Sequence, residues 1–320
     1  MATFDFSLVY DDLLLVENRL GDVASVDFPV LAGILSQLLQ SGGKRLRPAL
    51  VLLAARFRDY DHNKALAVAA AVETLHTATL VHDDLIDNSL LRRGNPTLNT
   101  TWKSGVVVLV GDYLFGKAAE LAAQSKSVDL GELFARTVAI ICDGELRGLL
   151  DGKRWDTSRE EYYRRIYAKT ASLFATCSEA GAIVGEAAAE ERVALREYGR
   201  NLGMAFQIAD DILDFVGSER ALGKPVGSDL RQGTITLPAI CYVERHLDHP
   251  LVRRVLGGDG SDSVLATLID LVRASEAISD AYDAARTFSR QAKQNLAALP
   301  DLPCRQVMLD LADFVVERKT

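Results

Sequence analysis

The sequence has few of the features that mark several large classes of protein. It has four cysteines among 320 residues, and they are scattered without metal-binding or redox spacing: Cys142, Cys177, Cys241 and Cys304. We therefore expect buried thiols in a reducing compartment and exclude a disulfide framework. The sequence also lacks a basic tract, and its formal net charge is −8. Both facts argue against a protein that binds nucleic acid or another polyanion through bulk positive charge.

Targeting and membrane-spanning signals are scarce as well. Residues Met1 to Leu15 are acidic and do not form the pattern of a secretory signal peptide. The most strongly apolar island, Val106 to Val110, is too short to cross a bilayer. No segment rich in Pro, Gly and Ser is long enough to divide the chain. We predict a single soluble, cytoplasmic domain over residues 1–320, without stable insertion in a membrane.

Alternating strand patterns are nearly absent, whereas apolar residues recur every three or four positions along most of the chain. This periodicity predicts an all-α bundle with several wholly apolar central helices. The predicted helical segments are residues 29–41, 48–58, 64–82, 105–123, 130–150, 159–186, 190–215, 235–247 and 263–298. Gly105 to Val110 stays open, because a short Val-rich run fits a buried strand as well as a helix.

Two aspartate clusters are the most informative feature, Asp83-Asp84-Leu85-Ile86-Asp87 and Asp210-Asp211-Ile212-Leu213-Asp214. On a helix the first and last aspartates of each cluster share one face and can bind the same ion. Each cluster follows an apolar stretch, and Gly217 is a plausible C′ residue after the second, so both lie where the macrodipole disfavours negative charge. One such cluster fits a solvated helix end about equally well. A matched pair with oxygen donors alone predicts a site for several Mg²⁺ ions rather than zinc.

Loops that combine glycine with positive charge accompany the clusters. One, Gly42-Gly43-Lys44-Arg45-Leu46-Arg47-Pro48, directly precedes a helix, and two others follow the clusters at residues 88–94 and 222–229. A flexible backbone and cations beside a helix start suit a phosphate group. Carboxylates for metals and cations for phosphates together predict a diphosphate substrate.

At these motifs the chain resembles the trans-isoprenyl diphosphate synthases, or polyprenyl synthetases. The matching residues are the Gly42 to Pro48 loop, both DDxxD clusters, Arg92-Arg93-Gly94, Lys169-Thr170, Gln207 and Gly223-Lys224-Pro225. The resemblance, strong over residues 40–240, implies an isoprenoid-synthase-type helical bundle around a deep central cavity. It implies a Mg-dependent condensation of isopentenyl diphosphate with an allylic diphosphate, most like that of heptaprenyl-type members.

The resemblance also implies a role for each matched residue. About three Mg²⁺ ions per site would be held by Asp83, Asp87 and Asp210, with weaker or water-mediated help from Asp84, Asp211 and Asp214. The allylic diphosphate would be neutralised by Arg92, Lys169 and Lys224. Isopentenyl diphosphate would be bound by Lys44, Arg47, His76 and Arg93. Thr170 and Gln207 would present oxygen dipoles to the carbocation, and the released pyrophosphate would act as the base.

Structural and functional alternatives accompany this interpretation. Taken alone, His76 fits a hydrogen-bonded core histidine. The other matched polar residues fit a solvated loop, the protein surface or a bond to helix backbone: Arg92, Arg93, Lys169, Lys224, Thr170 and Gln207. A class I terpene cyclase would not need a second diphosphate site, and a non-catalytic subunit would tend to lose one cluster. A diiron carboxylate bundle is disfavoured, since that class uses a Glu-x-x-His pair on each of two helices.

Product length is predicted from the positions before the first cluster. In short-chain members a bulky aromatic there closes the path of the growing chain, whereas here the residues are Ala78 and Thr79, one turn or about 5.4 Å deeper. Gly233 is followed by Thr234 where the family commonly has Lys, a loss shared with heptaprenyl-type members. We expect about thirty to fifty carbons at roughly one turn per isoprene unit, with heptaprenyl favoured and Phe134 or Ile141 as the stop. A farnesyl or geranylgeranyl diphosphate synthase is the alternative.

Assembly is predicted from the resemblance alone. Members of the family pair as homodimers, and the apolar Gly105 to Leu121 segment is the candidate interface. A long apolar product also implies transient membrane contact at its release. The preferred primer and the need for a partner subunit stay open.

Overall fold

The computed structural model is almost entirely helical, and it describes residues 4–40, 43–92, 94–152, 154–217 and 225–318. The α-helices of the described ranges are α1 Tyr10–Ala24, α2 Pro29–Gln40, α3 Leu46–Ala55, α4 His62–Ile86, α5 Ser104–Ala123, α6 Val128–Asp151, α7 Arg159–Ile166, α8 Ser172–Val184, α9 Ala189–Val216, α10 Ser228–Arg231, α11 Leu237–Arg245, α12 Pro250–Leu256, α13 Asp262–Arg273, α14 Ala277–Asn295 and α15 Pro303–Glu317. Short 3₁₀ turns cover Ser7–Val9 and Leu98–Thr100, and a π-helical turn, Tyr167–Ala171, joins α7 to α8. The predicted all-α class is confirmed.

One small hairpin follows the first aspartate cluster. Strand β1, Leu91–Arg92, pairs antiparallel with β2, Asn95–Pro96, and Leu91 lies opposite Pro96. Within the described ranges it is the sole sheet. It turns the chain back at the end of α4 and so places Arg92 beside the cluster.

The centre of the bundle is formed by α3, α4, α8 and α9. Helix α4 packs against α5 and α8, while α8 packs against α3 and α9, and α9 packs also against α14. Close helix approach depends on glycine at several positions. A Cβ on Gly181 would lie 2.3 Å from the Val51 carbonyl oxygen, one on Gly199 would lie 2.4 Å from that of Phe174, and one on Gly203 would lie 2.6 Å from the Ala171 Cα. These contacts hold α8 tightly between its neighbours. They therefore fix the π-helical turn at its start against α9.

Helix α4 meets the length and composition of a membrane-spanning helix, unlike the shorter island considered from sequence. It covers 25 residues, and 78% of its most apolar window is buried inside the protein. This degree of burial fits a helix of the protein core.

Several predicted boundaries differ from the structure. The segment 263–298 is two helices, α13 and α14, and α1, α12 and α15 were not predicted. The strand alternative for Gly105 to Val110 is wrong, because these residues lie within α5. Gly217 does end α9, but with φ −67° and ψ 161° it adopts extended rather than left-handed backbone. A glycine is thus not required there for its positive-φ freedom.

Candidate active site

The first aspartate cluster lies at the carboxyl end of α4, as predicted. The helix ends at Ile86, and the Asp87 backbone N–H donates to the Asp83 carbonyl at 2.8 Å. Asp83 is half-buried and Asp87 is exposed. Asp84 is buried and bound by Arg92, whose Nε lies 2.9 Å from both carboxylate oxygens and whose Nη2 lies 2.8 Å from Oδ1. The ion pair of Asp84 and Arg92 thus joins the end of α4 to the hairpin.

The second cluster occupies the last two turns of α9, and its aspartates have different partners. Asp210 Oδ1 lies 2.8 Å from Nη2 of Arg318, and its side chain stays 43% exposed. Asp214 is buried, and its Oδ2 accepts from the Asp229 backbone N–H at 3.2 Å. Asp214 therefore holds α10 beside the cluster.

Asp211 lies at the end of a chain of hydrogen bonds. Its Oδ2 accepts from the buried Tyr162 hydroxyl and its Oδ1 from Gln207 Nε2, both at 2.7 Å. The Gln207 Oε1 accepts in turn from the Thr170 hydroxyl at 2.7 Å. A capping box of Ser158 and Glu161 starts α7 and so fixes the position of Tyr162.

The π-helical turn connects the two clusters. Its Lys169 Nζ lies 3.1 Å from Glu145 of α6, and the same side chain interacts electrostatically with Asp83 and Asp87. The next residue, Thr170, bonds to Gln207 of α9. One turn therefore interacts electrostatically with the first cluster through Lys169 and is linked to Asp211 of the second through Thr170 and Gln207. Turns of π-helix are frequent at functional sites.

The electrostatics of the site favour an added positive charge. Burial raises the pKa of Asp83 to about 6, against the attraction of Lys169 and together with repulsion from Glu145 and Asp87. Burial also raises the pKa of Asp211 to about 7, although its two side-chain donors act in the opposite direction. The pKa of Lys169 is raised as well, because burial, which lowers it, is outweighed by the surrounding carboxylates. A cation near these carboxylates would lower their pKa values.

Both clusters contribute to one cleft of about 570 Å³. Asp87 comes from the first cluster and Asp211 from the second, and Lys169, Thr170 and Gln207 lie on its wall. Its other charged lining residues are Asp143, Glu145, Arg147, Asp151, Arg154, Glu161, Arg164, Arg165 and Asp229. The structure therefore brings residues of both clusters together in one cleft with Lys169, Thr170 and Gln207.

The far side of the cleft is formed by the loop before α11. Gln232, Gly233, Thr234 and Thr236 line it, and Gly233 has φ 88°, a left-handed conformation that suits glycine. The Thr236 hydroxyl is buried and has no hydrogen-bond partner among the described residues. Thr236 directly precedes α11, so the positive end of that helix lies next to this wall of the cleft.

The donor set fits Mg²⁺ that is bound together with a diphosphate. Within the described ranges no three side chains of His, Cys, Asp or Glu converge as a protein cage for a metal. Mg²⁺ rarely needs such a cage, because it keeps several waters and binds through one or two carboxylates plus substrate phosphates. Asp83 and Asp87, four residues apart near the end of α4, offer hard oxygen donors of this kind.

The Gly-Gly-Lys-Arg loop is held at its centre by Arg45. This residue has φ 46°, and its guanidinium pairs with Glu17 and, at 2.7 Å, with Glu73. Arg45 is therefore structural, and Glu73 is engaged even though Glu73 and His76 have the Glu-x-x-His spacing. Lys44 is exposed on one side of Arg45.

The remaining predicted residues of this region lie on α3 and α4. Arg47 stacks 4.9 Å above the Phe174 ring, and His76 is half-buried on α4, two turns before Asp83. Arg93 and Lys224, and with them Gly42 and Gly223 of the motifs, lie outside the described residues.

The predicted chain-length residues lie one turn before the first cluster. Ala78 is fully buried, and the half-buried Thr79 donates its hydroxyl to the His76 carbonyl at 2.8 Å. Phe134 and Ile141 are buried on α6. Helices α5 and α8 each contact both α4 and α6, so the four helices enclose the region between Ala78 and the α6 residues.

Sequence reasoning missed three residues that the geometry makes prominent: Tyr162, Thr236 and Arg318. Nothing in the local sequence marks them, because their partners or their cleft are distant along the chain. Tyr162 and Asp211 are 49 positions apart. A search for polar residues next to helix ends would have found Thr236 and Arg318 but not their surroundings.

Comparisons with known proteins agree with this site. Residues 28–271 match the family model described as polyprenyl synthetase. The chain is 38% identical over 315 residues to heptaprenyl diphosphate synthase component 2 of Geobacillus stearothermophilus, covering 98% of each chain. It superposes with a TM-score of 0.91 on a polyprenyl synthase of Caulobacter crescentus CB15 complexed with calcium and isoprenyl diphosphate, at 36% identity and full coverage of both chains.

A decaprenyl diphosphate synthase of Rhodobacter capsulatus is similarly close, with a TM-score of 0.90, 38% identity and 98% coverage of each chain. The names of these relatives include products of different length, so the comparisons settle the reaction class and leave the length open. The match extends over most of the chain and includes both aspartate clusters. The chain belongs to the polyprenyl synthetase family and is a trans-prenyltransferase.

Proposed function

We propose that this protein condenses isopentenyl diphosphate with an allylic diphosphate and forms a trans-polyprenyl diphosphate, with Mg²⁺ as its cofactor. The observation that carries the proposal is the single cleft in which Lys169 and Thr170 connect the two aspartate clusters. The calcium and isoprenyl diphosphate bound to the Caulobacter relative support the same ligand classes. We also propose one domain over residues 1–320, because buried apolar side chains from Val9 to Val316 form one contiguous cluster.

Asp83, Asp87 and Asp210 are the groups we assign to the cation, as the resemblance implied, and the Asp210 side chain is 43% exposed. Asp84, Asp211 and Asp214 are engaged by Arg92, by Tyr162 and Gln207, and by the Asp229 backbone. These three aspartates support the site by holding the partner residues in place. When bound, Mg²⁺ neutralises the diphosphate and assists its departure as a leaving group.

The cleft residues contribute fixed charges and dipoles. Lys169 is held by Glu145 and directed to the carboxylates of the first cluster, so it lies ready to neutralise an allylic diphosphate. The Thr170 hydroxyl donates to Gln207, which leaves the lone pairs of its oxygen for a carbocation. Because these groups are positioned before substrate binds, they need little reorganisation during the reaction.

A second diphosphate site lies at the start of α3. Arg45 fixes the loop through Glu17 and Glu73, and Lys44 and Arg47 flank it. We assign Lys44, Arg47 and His76 to isopentenyl diphosphate, with Arg93 as a further candidate. A class I terpene cyclase would have no use for this second cationic site.

Product length follows from the wall near Ala78. A small residue at this buried position would give a growing chain room between α4 and α6. We propose about thirty to fifty carbons at roughly one helical turn per isoprene unit, with heptaprenyl favoured. A shorter farnesyl or geranylgeranyl product is the alternative, and Phe134 or Ile141 is the proposed stop.

We propose that the protein is a homodimer that pairs through α5. Three apolar side chains of this helix are exposed, Leu109 at 68%, Val108 at 40% and Val106 at 36%. The name component 2 of the Geobacillus relative belongs to a protein with a partner, so a heteromeric synthase is the alternative assembly. The four cysteines are free thiols, which supports the cytoplasmic location that we propose.

The deciding experiment is incubation of the purified protein alone with isopentenyl diphosphate, allylic primers of different length and Mg²⁺, followed by sizing of the products. Elongated diphosphates that disappear with EDTA are expected. A cyclic hydrocarbon would favour the cyclase, and activity that needs a second polypeptide would favour the heteromeric synthase. Ala78→Phe should shorten the product because a ring fills the buried path, whereas Ala78→Ser is the matched control.

A further inference from the structure

Arg318, which directly follows α15, is bound to the second aspartate cluster. Its Nη2 lies 2.8 Å from Asp210 Oδ1 and donates to the Phe206 carbonyl at 2.8 Å. Its Nε donates to the Val315 carbonyl at 3.2 Å, and its guanidinium carbon lies 4.0 Å from the centroid of the Phe206 ring. The residue is only 9% exposed. Contacts of several kinds therefore fix this guanidinium.

Fold stability alone does not explain why Arg318 is buried. Removing a guanidinium from water is costly, and a buried ion pair often stabilises a protein no better than apolar residues of similar volume. Burial lowers the pKa of Arg318, while Asp210 acts in the opposite direction. The Asp210 side chain keeps 43% of its surface exposed. Its carboxylate is thus paired with Arg318 and still partly exposed to solvent.

We propose that Arg318 is a positioning residue that orients the Asp210 carboxylate for binding of the divalent cation. This inference rests on the role of Asp210 in the proposed function. An aspartate side chain otherwise samples several rotamers, and fixing one beforehand removes that ordering cost from the binding step. Residues that orient metal ligands in this way change metal affinity about ten- to a hundredfold.

Arg318 could in principle have the opposite effect on cation binding. A guanidinium beside a carboxylate repels an incoming cation, and if this repulsion dominated, Arg318 would weaken cation binding. The geometry favours positioning, because the Phe206 ring and the carbonyls of Phe206 and Val315 hold Arg318 independently of Asp210. Arg318 is therefore a fixed support rather than a group that leaves when a cation arrives.

The test is a titration of the full-length protein with Mn²⁺ in the presence of inorganic pyrophosphate, in which free Mn²⁺ is measured by electron paramagnetic resonance. Arg318→Met keeps much of the side-chain volume and removes the charge and donors, so we expect about tenfold weaker Mn²⁺ binding. Arg318→Lys keeps the charge without the planar fork and should restore part of the affinity. Arg305→Met is the matched control, since Arg305 lies on α15, the helix that Arg318 follows, and pairs with Asp301 at 3.5 Å.

Asp210→Asn shows whether Arg318 acts through Asp210. It should weaken Mn²⁺ binding by itself, and adding Arg318→Met to it should cause no further loss. Unchanged or tighter Mn²⁺ binding by folded Arg318→Met would overturn the proposal, and so would a further loss in the double variant. If Asp210→Asn leaves Mn²⁺ affinity unchanged, the proposed cation role of the second cluster fails instead. Thermal unfolding shows whether each variant folds. If Arg318→Met does not fold, the proposal is tested on Arg318→Lys, which should bind Mn²⁺ more weakly than the wild type.

Discussion

The ligand-free protein should become less stable as the pH rises from about 4 to about 7, because of Asp211. Burial is the main cause that raises the pKa of this carboxyl from 3.8 to about 7. In the unfolded chain the pKa returns to its usual value. Between these pH values the folded protein holds a proton that the unfolded chain has released. The free energy of unfolding therefore falls as the pH rises through this window, and the loss is complete above it.

The size of the effect follows from the pKa difference. At about 1.36 kcal/mol for each pKa unit, a rise of about three units sets an upper bound of about 4 kcal/mol. We expect a loss on the order of 1–3 kcal/mol, because water penetration and relaxation reduce the penalty of a buried charge. The Tyr162 hydroxyl and the Gln207 amide stabilise the charged form at 2.7 Å each. Asp83, with its pKa raised to about 6, adds a smaller change of the same sign.

Urea denaturation with EDTA present, followed by circular dichroism across this pH range, measures the effect. Asp211→Asn cannot ionise, so its free energy of unfolding should fall less than that of the wild type, and the difference isolates Asp211. Mg²⁺ with pyrophosphate should stabilise the wild type more at high pH, because a cation favours the ionised carboxylates. If the free energy of unfolding falls equally with pH in both proteins, the pKa of Asp211 is not raised by burial and the prediction is refuted.

Four further predictions concern single side chains. Asp83→Ala should lower kcat by orders of magnitude while the protein still folds, since the lost term is stabilisation of charge in the transition state; steady-state kinetics and thermal unfolding measure both. Lys44→Ala should raise the KM for isopentenyl diphosphate far more than that for the allylic substrate, and equal effects on both would contradict two separate sites. Thr236→Val removes a buried hydroxyl without a partner, so stability should hold while the KM for a diphosphate substrate rises about three- to tenfold; an unchanged KM excludes contact with substrate. Leu109→Glu should convert a dimer to a monomer in light scattering at micromolar concentration, whereas Leu14→Glu on α1, at an exposed residue, should not; a monomeric wild type would refute the assembly.

The architecture and the location of the site were largely predictable from local patterns. Helical periodicity marks α4 and α9 because each buries apolar side chains over many turns. The clusters lie near the ends of these helices, where backbone carbonyls and carboxylates accumulate negative charge. A sequence signal of this kind depends on residues within a few turns, so composition and spacing suffice to find it.

Contacts between distant segments were not predictable in the same way. Arg45 belongs to a loop typical of phosphate binding, yet its partners Glu17 and Glu73 make it structural. Glu17 and Glu73 are each 28 positions from Arg45, and Arg318 lies still farther from Phe206, at 112 positions. The packing of whole helices determines such pairs, and a cation in a motif gives no sign of which carboxylate it will meet.

The six aspartates of the two clusters show how tertiary contacts divide equal motifs into unequal roles. By spacing alone, each DDxxD offers the same three carboxylates. In the folded protein Arg92 binds Asp84, and hydrogen-bond donors hold the buried Asp211 and Asp214. The aspartates that keep solvent exposure are Asp83 and Asp87 of the first cluster and Asp210 of the second, whose side chain is 43% exposed. These are the carboxylates that the resemblance assigned most directly to the metal, and the packing around their neighbours gives that assignment a physical reason. Asp84, Asp211 and Asp214 are needed to hold the hairpin, the Thr170–Gln207 link and α10 in place, so their substitution should disturb geometry before it disturbs charge.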